Sequence, residues 1–373
     1  MEQSGRSIGS FSAPKMLVGV IDANESHRRQ VAQALVSFYQ VATYSTAADA
    51  VADLGKRPLC ALLVDQSAPP RGGGDFVRLI RSGNLFAGVP IVFTGTGDEN
   101  TLRHQAAECG ADCFLAKPFR RSLLIRAISQ QINKTVEKKW EALPAASRRA
   151  LVGTMDVYNS FSDVVEKGEP VAYAQVLSAC GPLVEAVGMQ EHKEILASIR
   201  SHDNYSYAHS LGTATLLVLF GYAIGLKDPD LSLLGSGGLL HDIGKMSIPY
   251  DVLNKADPLT PEELTLVKSH VPLTLQFLGQ SAELPKNLLV IAAEHHERLD
   301  GSGYPRGLKG SELNELSRMA AIVDVFCAMS ERRVYRPAIS AEAALSIMVE
   351  GMSSQLDQTL LALFREMLLD TGR

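Results

Sequence analysis

Strand-like and helix-like patterns alternate from Met16 to about residue 133, and beyond that point the strand pattern stops. The apolar runs "MLVGVI" (16–21), "CALLVD" (60–65), "VPIVFTG" (89–95) and "DCFLAK" (112–117) are short, with amphipathic stretches such as "SHRRQVAQALVSFY" (26–39) between them. Runs of this length read as strands covered on both faces. Their alternation with helices predicts a doubly wound, five-stranded parallel sheet with its site at the carboxyl ends of the strands. The rest is helical in pattern, punctuated by Gly and Pro at 168–170, 181–182, 258–261 and 301–310. The expected organisation is a flexible N-terminus (1–14), an α/β domain (15–133), a helical connector (134–195) and an all-α bundle (196–373).

At 373 residues the chain is long enough for two or three cores, and 46% hydrophobic with 21% charged residues is ordinary for a globular protein. A net charge of −5 and the lack of a long basic run argue against a nucleic-acid arm or a polybasic membrane patch. Five cysteines (60, 109, 113, 180, 327) form no CxxC pair and read as buried thiols in a reducing compartment. The start, "MEQSGRSIGSFSAPK", lacks an apolar core, and "TATLLVLFGYAIGL" (213–226) is too short to span a bilayer. A cytoplasmic location is expected.

Polar residues fall where the strands end: Asp22 after the first, Asp65 after the third, Thr94 after the fourth and Lys117 closing the fifth. A carboxylate beside an ammonium and a hydroxyl can accept a phosphoryl group whose oxygens the other two neutralise. Polar caps on buried strands are common, so one such Asp means little, whereas four in register carry weight. Through "IDANE", "LLVDQSAP", "VFTGT" and "FLAKPF" this part resembles the flavodoxin-like response-regulator receiver domain. The resemblance implies Asp65 as phosphoacceptor for a histidine kinase, Asp22, Thr94 and Lys117 as its pocket, and Phe114 at the aromatic switch position. Receivers usually carry two acids after the first strand; here the pair is Asp22–Ala23, which weakens a Mg²⁺ site. A phosphorylation-independent receiver is the rival reading.

Five of the nine histidines fall at informative places in the second half. "GLLHDIGK" (238–245) sets His241 and Asp242 after an apolar run, with Lys245 four residues past His241, on the same face if the helix continues. "YSYAHS" supplies His209, "KSHVP" His270 and "AAEHHERLDGSGYP" the adjacent His295 and His296. "AAIVDVF" puts Asp324 inside an apolar helix, where an unpaired carboxylate is costly. Any one of these histidines alone is more often packed than ligating. Together, five imidazoles and two carboxylates suit two divalent ions, one carboxylate bridging them, and ligation without thiolate favours Fe or Mn. Two such ions would bring the pKa of water from 15.7 to roughly 7 and clamp phosphate oxygens.

"HDIGKMSIPYDVLNK", "LTPEELTLVKSH", "HHERLDGSGYPRGLKG" and "RRVYR" resemble the HD-GYP domain, a branch of the HD phosphohydrolases. The resemblance implies one metal on His209, His241, Asp242 and Asp324, and a second on bridging Asp242, His270, His295 and His296. It implies phosphate contacts from Lys245, Arg333 and Arg336, with Asp242 and Lys245 at the chemistry. Gly303, Tyr304 and Pro305 become the loop that shapes the pocket or docks protein partners. The implied reaction is hydrolysis of cyclic di-GMP to pGpG or GMP, under receiver control. Two departures stand out. Tyr205 replaces a glutamate associated with a third metal, so two ions are expected. Cys327 replaces the second Asp of "DVYDA", so altered surroundings for the metal ligands are expected, with the ligands kept. Another cyclic dinucleotide or nucleotide phosphate as substrate, or a weakly active scaffold, are the alternatives. Helix pairing through Trp140 would allow a homodimer.

Overall fold

The computed structural model describes residues 16–331, apart from 56 and 84, and 338–370. The first half runs β1 (Leu17–Ile21), α1 (Glu25–Leu35), β2 (Gln40–Tyr44), α2 (Ala47–Leu54), β3 (Ala61–Asp65), α3 (Gly73–Ser82), β4 (Ile91–Thr96), α4 (Glu99–Cys109), β5 (Cys113–Lys117) and α5 (Arg121–Trp140). The sheet is parallel throughout, in the order β2-β1-β3-β4-β5. That order reverses direction between β1 and β3, so Asp22 and Asp65 flank the switch point where such folds bind ligands. The expected coverage on both faces holds for β1, β3 and nearly all of β4, whereas the edge strands β2 and β5 are mostly half-buried. Strand β2, "QVATY", interrupts its apolar residues with Gln40 and Thr43, so no continuous run marks it in the sequence.

The second half is helical: α6 (Ala145–Lys167), α7 (Tyr173–Gly188), α8 (His192–Ile199), α9 (Tyr205–Ala223), α10 (Asp230–Leu240), α11 (Tyr250–Leu253), α12 (Pro261–Lys268), α13 (His270–Leu278), α14 (Lys286–Glu294), α15 (Glu315–Ser330), α16 (Ala341–Gly351) and α17 (Gln358–Asp370). Helix α9 is buried from His209 through Gly221, as expected of a helix that is apolar all round. The side chain of Asn204 caps its first turn and that of Asn314 caps α15, which fixes where His209 and Asp324 sit. Among the described residues no helix is long and apolar enough to cross a membrane.

The boundary near residue 133 falls inside one unbroken helix. The start of α5 packs on the sheet through Leu124, Ile125 and Ile128, while Trp140 at its end lies in the helical core and stacks on His202 at 5.9 Å. Helices α6 to α8, which begin within the stretch expected as a connector, share that core. Trp140 is therefore enclosed by its own chain.

The sheet domain grips the helical one directly. Ser37 Oγ donates to the Met246 carbonyl at 2.5 Å, and Arg121 Nη2 donates to the same oxygen at 3.2 Å while its Nε holds Ala34 O. The Tyr250 amide donates to Val36 O, and Tyr39 Oη donates to Asp203 Oδ2 at 3.2 Å. Burial raises the Asp203 carboxyl from 3.8 to about 6 against the opposing pull of His202 and Tyr39. A folded-state value above the unfolded one means stability is fully present below about 4 and is lost as pH rises through about 6. The difference corresponds to roughly 3 kcal/mol. Asp203→Asn should therefore raise the Tm at pH 7, and thermal melts should lose that gain near pH 4.

Candidate metal centre

Seven side chains from five helices and their ends converge on one buried spot. Asp242, His270, His295 and His296 form one group and His209, His241 and Asp324 another, the ligand-type atoms within each group lying within 4.8 Å of one another. All are buried except His296, which is 15% exposed in its side chain. Asp242 divides its oxygens between the groups. Oδ2 faces His209 Nε2 (3.5 Å) and His241 Nε2 (3.2 Å), while Oδ1 faces His270 Nε2 (3.1 Å) and His295 Nε2 (3.6 Å). Asp324 divides likewise, Oδ1 toward His209 Nε2 (3.1 Å) and Oδ2 toward His296 Nδ1 (3.4 Å). The expected carboxylate bridge is thus matched by a second carboxylate reaching both groups.

The far side of the rings decides which nitrogen faces inward. His241 Nδ1 lies 2.7 Å from Gly238 O, His270 Nδ1 2.5 Å from Val267 O and His295 Nδ1 3.0 Å from Ala292 O. His209 Nδ1 lies 3.0 Å from Glu331 Oε2. A carbonyl or carboxylate only accepts, so each Nδ1 carries the proton, and the Nε2 of His241, His270 and His295 presents a lone pair to the centre. The tautomers follow from this network. His241 Nε2 and Asp242 Oδ1 are buried without a hydrogen-bond partner. Inward lone pairs and orphaned buried acceptors are what a metal site requires, so these residues fit divalent ions.

Electrostatics agree for His295 and His296. Burial drives the His295 pKa down to about 4 despite Asp242, and burial with neighbouring His295 holds His296 well below the usual range. Both rings stay neutral, as ligands must. Burial would lower His209 too, but the Glu331 charge and the hydrogen bonds to Asp324 and Glu331 raise it to about 9. Burial would raise Asp242, yet Lys245, His241 and His270 keep it ionised well below the carboxylate range.

Local structure differs from the expectation at Lys245. Helix α10 ends at Leu240, and Ile243–Ser247 is a 3₁₀ turn, so Lys245 meets Asp242 three residues back. The 3₁₀ turn passes against α13, and Gly244 N donates to Thr274 Oγ1. His295 and His296 follow the last residue of α14, where the chain leaves the helix and neighbouring rings can face one pocket. Tyr304 stacks on His296 at 4.7 Å, and Lys268 Nζ lies 5.0 Å from the centroid of the same tyrosine ring. Gly303 passes so close to the end of α14 that a Cβ would stand 2.4 Å from Glu297 Cα. Buried Glu297 holds the loop beyond Pro305 by accepting from the Arg306 and Leu308 amides. Arg333 and Arg336 lie outside the described residues.

The receiver-type pocket assembles as well. Lys117 Nζ contacts both Asp22 and Asp65, and Thr94 Oγ1 lies 3.3 Å from Asp65 Oδ2. Phe114 stays half-buried with Arg103 over its ring. His27, absent from the sequence-based set, places Nδ1 2.5 Å from Asp22 Oδ2. Burial would raise Asp22, but His27 and Lys117 hold it far below the carboxylate range. With Ala23 beside it and His27 on its oxygen, Asp22 does not suit Mg²⁺ in this arrangement. Glu331 is likewise absent from the sequence-based set. It stands seven residues past Asp324, just beyond the end of α15, and that spacing of two helical turns is the signal that could have found it.

The response regulator receiver domain family matches residues 18–129, and the HD domain family matches 195–360. A cyclic di-GMP phosphodiesterase of Pseudomonas aeruginosa is 36% identical over 155 residues, covering 42% of this chain and 37% of that protein. A 3'3'-cGAMP-specific phosphodiesterase of Vibrio cholerae is 35% identical over 164 residues, 44% of this chain and 35% of its own length. The chain thus spans little more than a third of these two relatives. The cyclic di-GMP phosphodiesterase response regulator RpfG of Xanthomonas campestris pv. campestris is 29% identical over 287 residues, 76% of this chain and 69% of its own.

Proposed function

The chain joins a response-regulator receiver domain to an HD domain, and on that premise we propose that it is a metal-dependent cyclic di-GMP phosphodiesterase under receiver control. The observation that carries the reading is the pair of carboxylates, Asp242 and Asp324, each divided between two groups of inward-facing histidines. His209, His241, Asp242 and Asp324 would hold one ion, and Asp242, His270, His295 and His296 the other, with Fe or Mn favoured by the donor set. Bound there, two such ions would acidify water and withdraw charge from phosphate oxygens. Hydrolysis joins the oxygen of water to phosphorus, and the ribose oxygen leaves with a proton. Lys245, anchored on Asp242, supplies cationic charge beside that phosphate. Tyr304 walls the exposed edge of His296, with Gly303 and Pro305 shaping the loop, which is also the proposed docking element for protein partners. Arg333 and Arg336 are the proposed further phosphate contacts.

The test is chromatography of cyclic di-GMP incubated with Mn²⁺- or Fe²⁺-loaded protein, with 3'3'-cGAMP in parallel. Loss of cyclic di-GMP to pGpG or GMP is expected. Preferential loss of 3'3'-cGAMP would instead favour the second reading, which the Vibrio relative's specificity motivates. Binding without turnover of either would leave a scaffold.

For control by the receiver, the supporting observation is short range. Lys117 on the Asp65 pocket and Arg121 on Met246 O are four residues apart, and Met246 adjoins Lys245. A phosphodonor such as acetyl phosphate should label Asp65 but not Asp65→Asn, and should change turnover. Arg121→Ala should abolish that change, which at the low end of allosteric coupling is about fivefold. Absence of label would favour the phosphorylation-independent receiver that His27 on Asp22 suggests.

A further inference from the structure

We propose that Glu331 is the positioning residue for His209, supplying an acceptor that His241, His270 and His295 obtain from helix ends. His241, His270 and His295 each set Nδ1 against the carbonyl three residues back, at Gly238, Val267 and Ala292. Those carbonyls lie in the last turns of α10, α12 and α14, where regular helical donors run out. His209 has no such neighbour. It is the fifth residue of α9, and the carbonyls of the turn before it are taken up by the continuing helix. Its Nδ1 proton therefore needs an acceptor from elsewhere in the fold, and Glu331 Oε2 provides one at 3.0 Å across from the end of α15.

The surroundings make room for that carboxylate. A Cβ on Gly212, one turn past His209, would stand 3.1 Å from Glu331 Oε1 and 4.0 Å from Cys327 Sγ. Cys327 is small, buried and one turn before Glu331, and leaves space for that carboxylate beside Gly212. A carboxylate behind a ligating imidazole fixes its tautomer and raises its basicity, and loss of such a partner typically weakens metal binding by about 10–100-fold. This inference rests on the proposed metal site but not on which phosphate ester is hydrolysed.

Metal-free full-length chain should be titrated with Mn²⁺ against a chelating indicator, comparing wild type, Glu331→Ala and Glu331→Gln. Glu331→Ala should weaken one of the two ions by about 10–100-fold and leave the other within about threefold. Glu331→Gln keeps an acceptor oxygen and should recover most of the loss. Circular-dichroism melts of the metal-free variants check that they fold. Equal affinity in Glu331→Ala and wild type, equal damage in the two variants, or no Mn²⁺ bound by wild type would each overturn the assignment. Failure of wild type to hydrolyse cyclic di-GMP while these affinities behave as stated would sink only the substrate reading.

Discussion

Asp242→Asn is expected to reduce turnover of cyclic di-GMP by more than about a thousandfold, equivalent to roughly 4 kcal/mol of barrier, and to leave the chain unable to hold two ions. The substitution preserves shape almost completely, so its effect comes from exchanging an acceptor for a donor. In the wild type one carboxylate oxygen faces His209 and His241 and the other faces His270 and His295. An amide has one oxygen, so whichever way the new side chain turned, its NH₂ would face one histidine group and repel an ion there. The charge that anchors Lys245 would go too. Metal analysis and turnover on the same preparation check this. Two ions with near-normal turnover in the variant would count against a bridging role. The metal-free variant should melt below wild type, because Lys245 loses its buried partner, and circular dichroism checks that it still folds.

Gly244→Ala should have the second large effect, and through packing alone. A Cβ there would lie 2.1 Å from the His270 carbonyl oxygen and 2.8 Å from the Thr274 amide nitrogen. Both belong to the backbone of α13, so relief requires moving the 3₁₀ turn away from that helix. The turn carries Lys245 directly after Gly244 and follows Asp242, and α13 begins with His270, so any relief moves Asp242 and Lys245 away from His270. Overpacking of this kind costs about 1–3 kcal/mol or more. Denaturant titration should register that loss, and the ion held by His270 should weaken with it. Gly188→Ala is the matched control, because it closes α7 with no atom within 4 Å of a new Cβ. There the substitution should be neutral or stabilising by roughly 0.5–1 kcal/mol.

The parts legible in the sequence are those where a residue's chemistry contradicts its surroundings. His209, His241 and Asp324 sit in apolar stretches that would bury them, and burial of such groups demands a common partner. Strands β1, β3 and β4 announce themselves because a strand covered on both faces has to be apolar throughout. The obscure parts depend on long-range contact. Edge strand β2 follows no continuous apolar run, since one side of it meets no neighbouring strand. The merging of residues 140–199 with the later helices depends on which faces meet, and Trp140 against His202 has no local signature. Lys245 reaches Asp242 through a 3₁₀ turn that a continued helix would not have made. Glu331 and His27 act on partners that their own segments do not announce, His209 lying 122 residues away and Asp22 lying across a strand end.

Whether two ions act together is decided by stepwise Mn²⁺ addition to metal-free protein, with cyclic di-GMP turnover read at each stoichiometry. Little hydrolysis is expected at one ion per chain, with a steep rise as the second binds. Full turnover at one ion, or none at two, would contradict a binuclear centre.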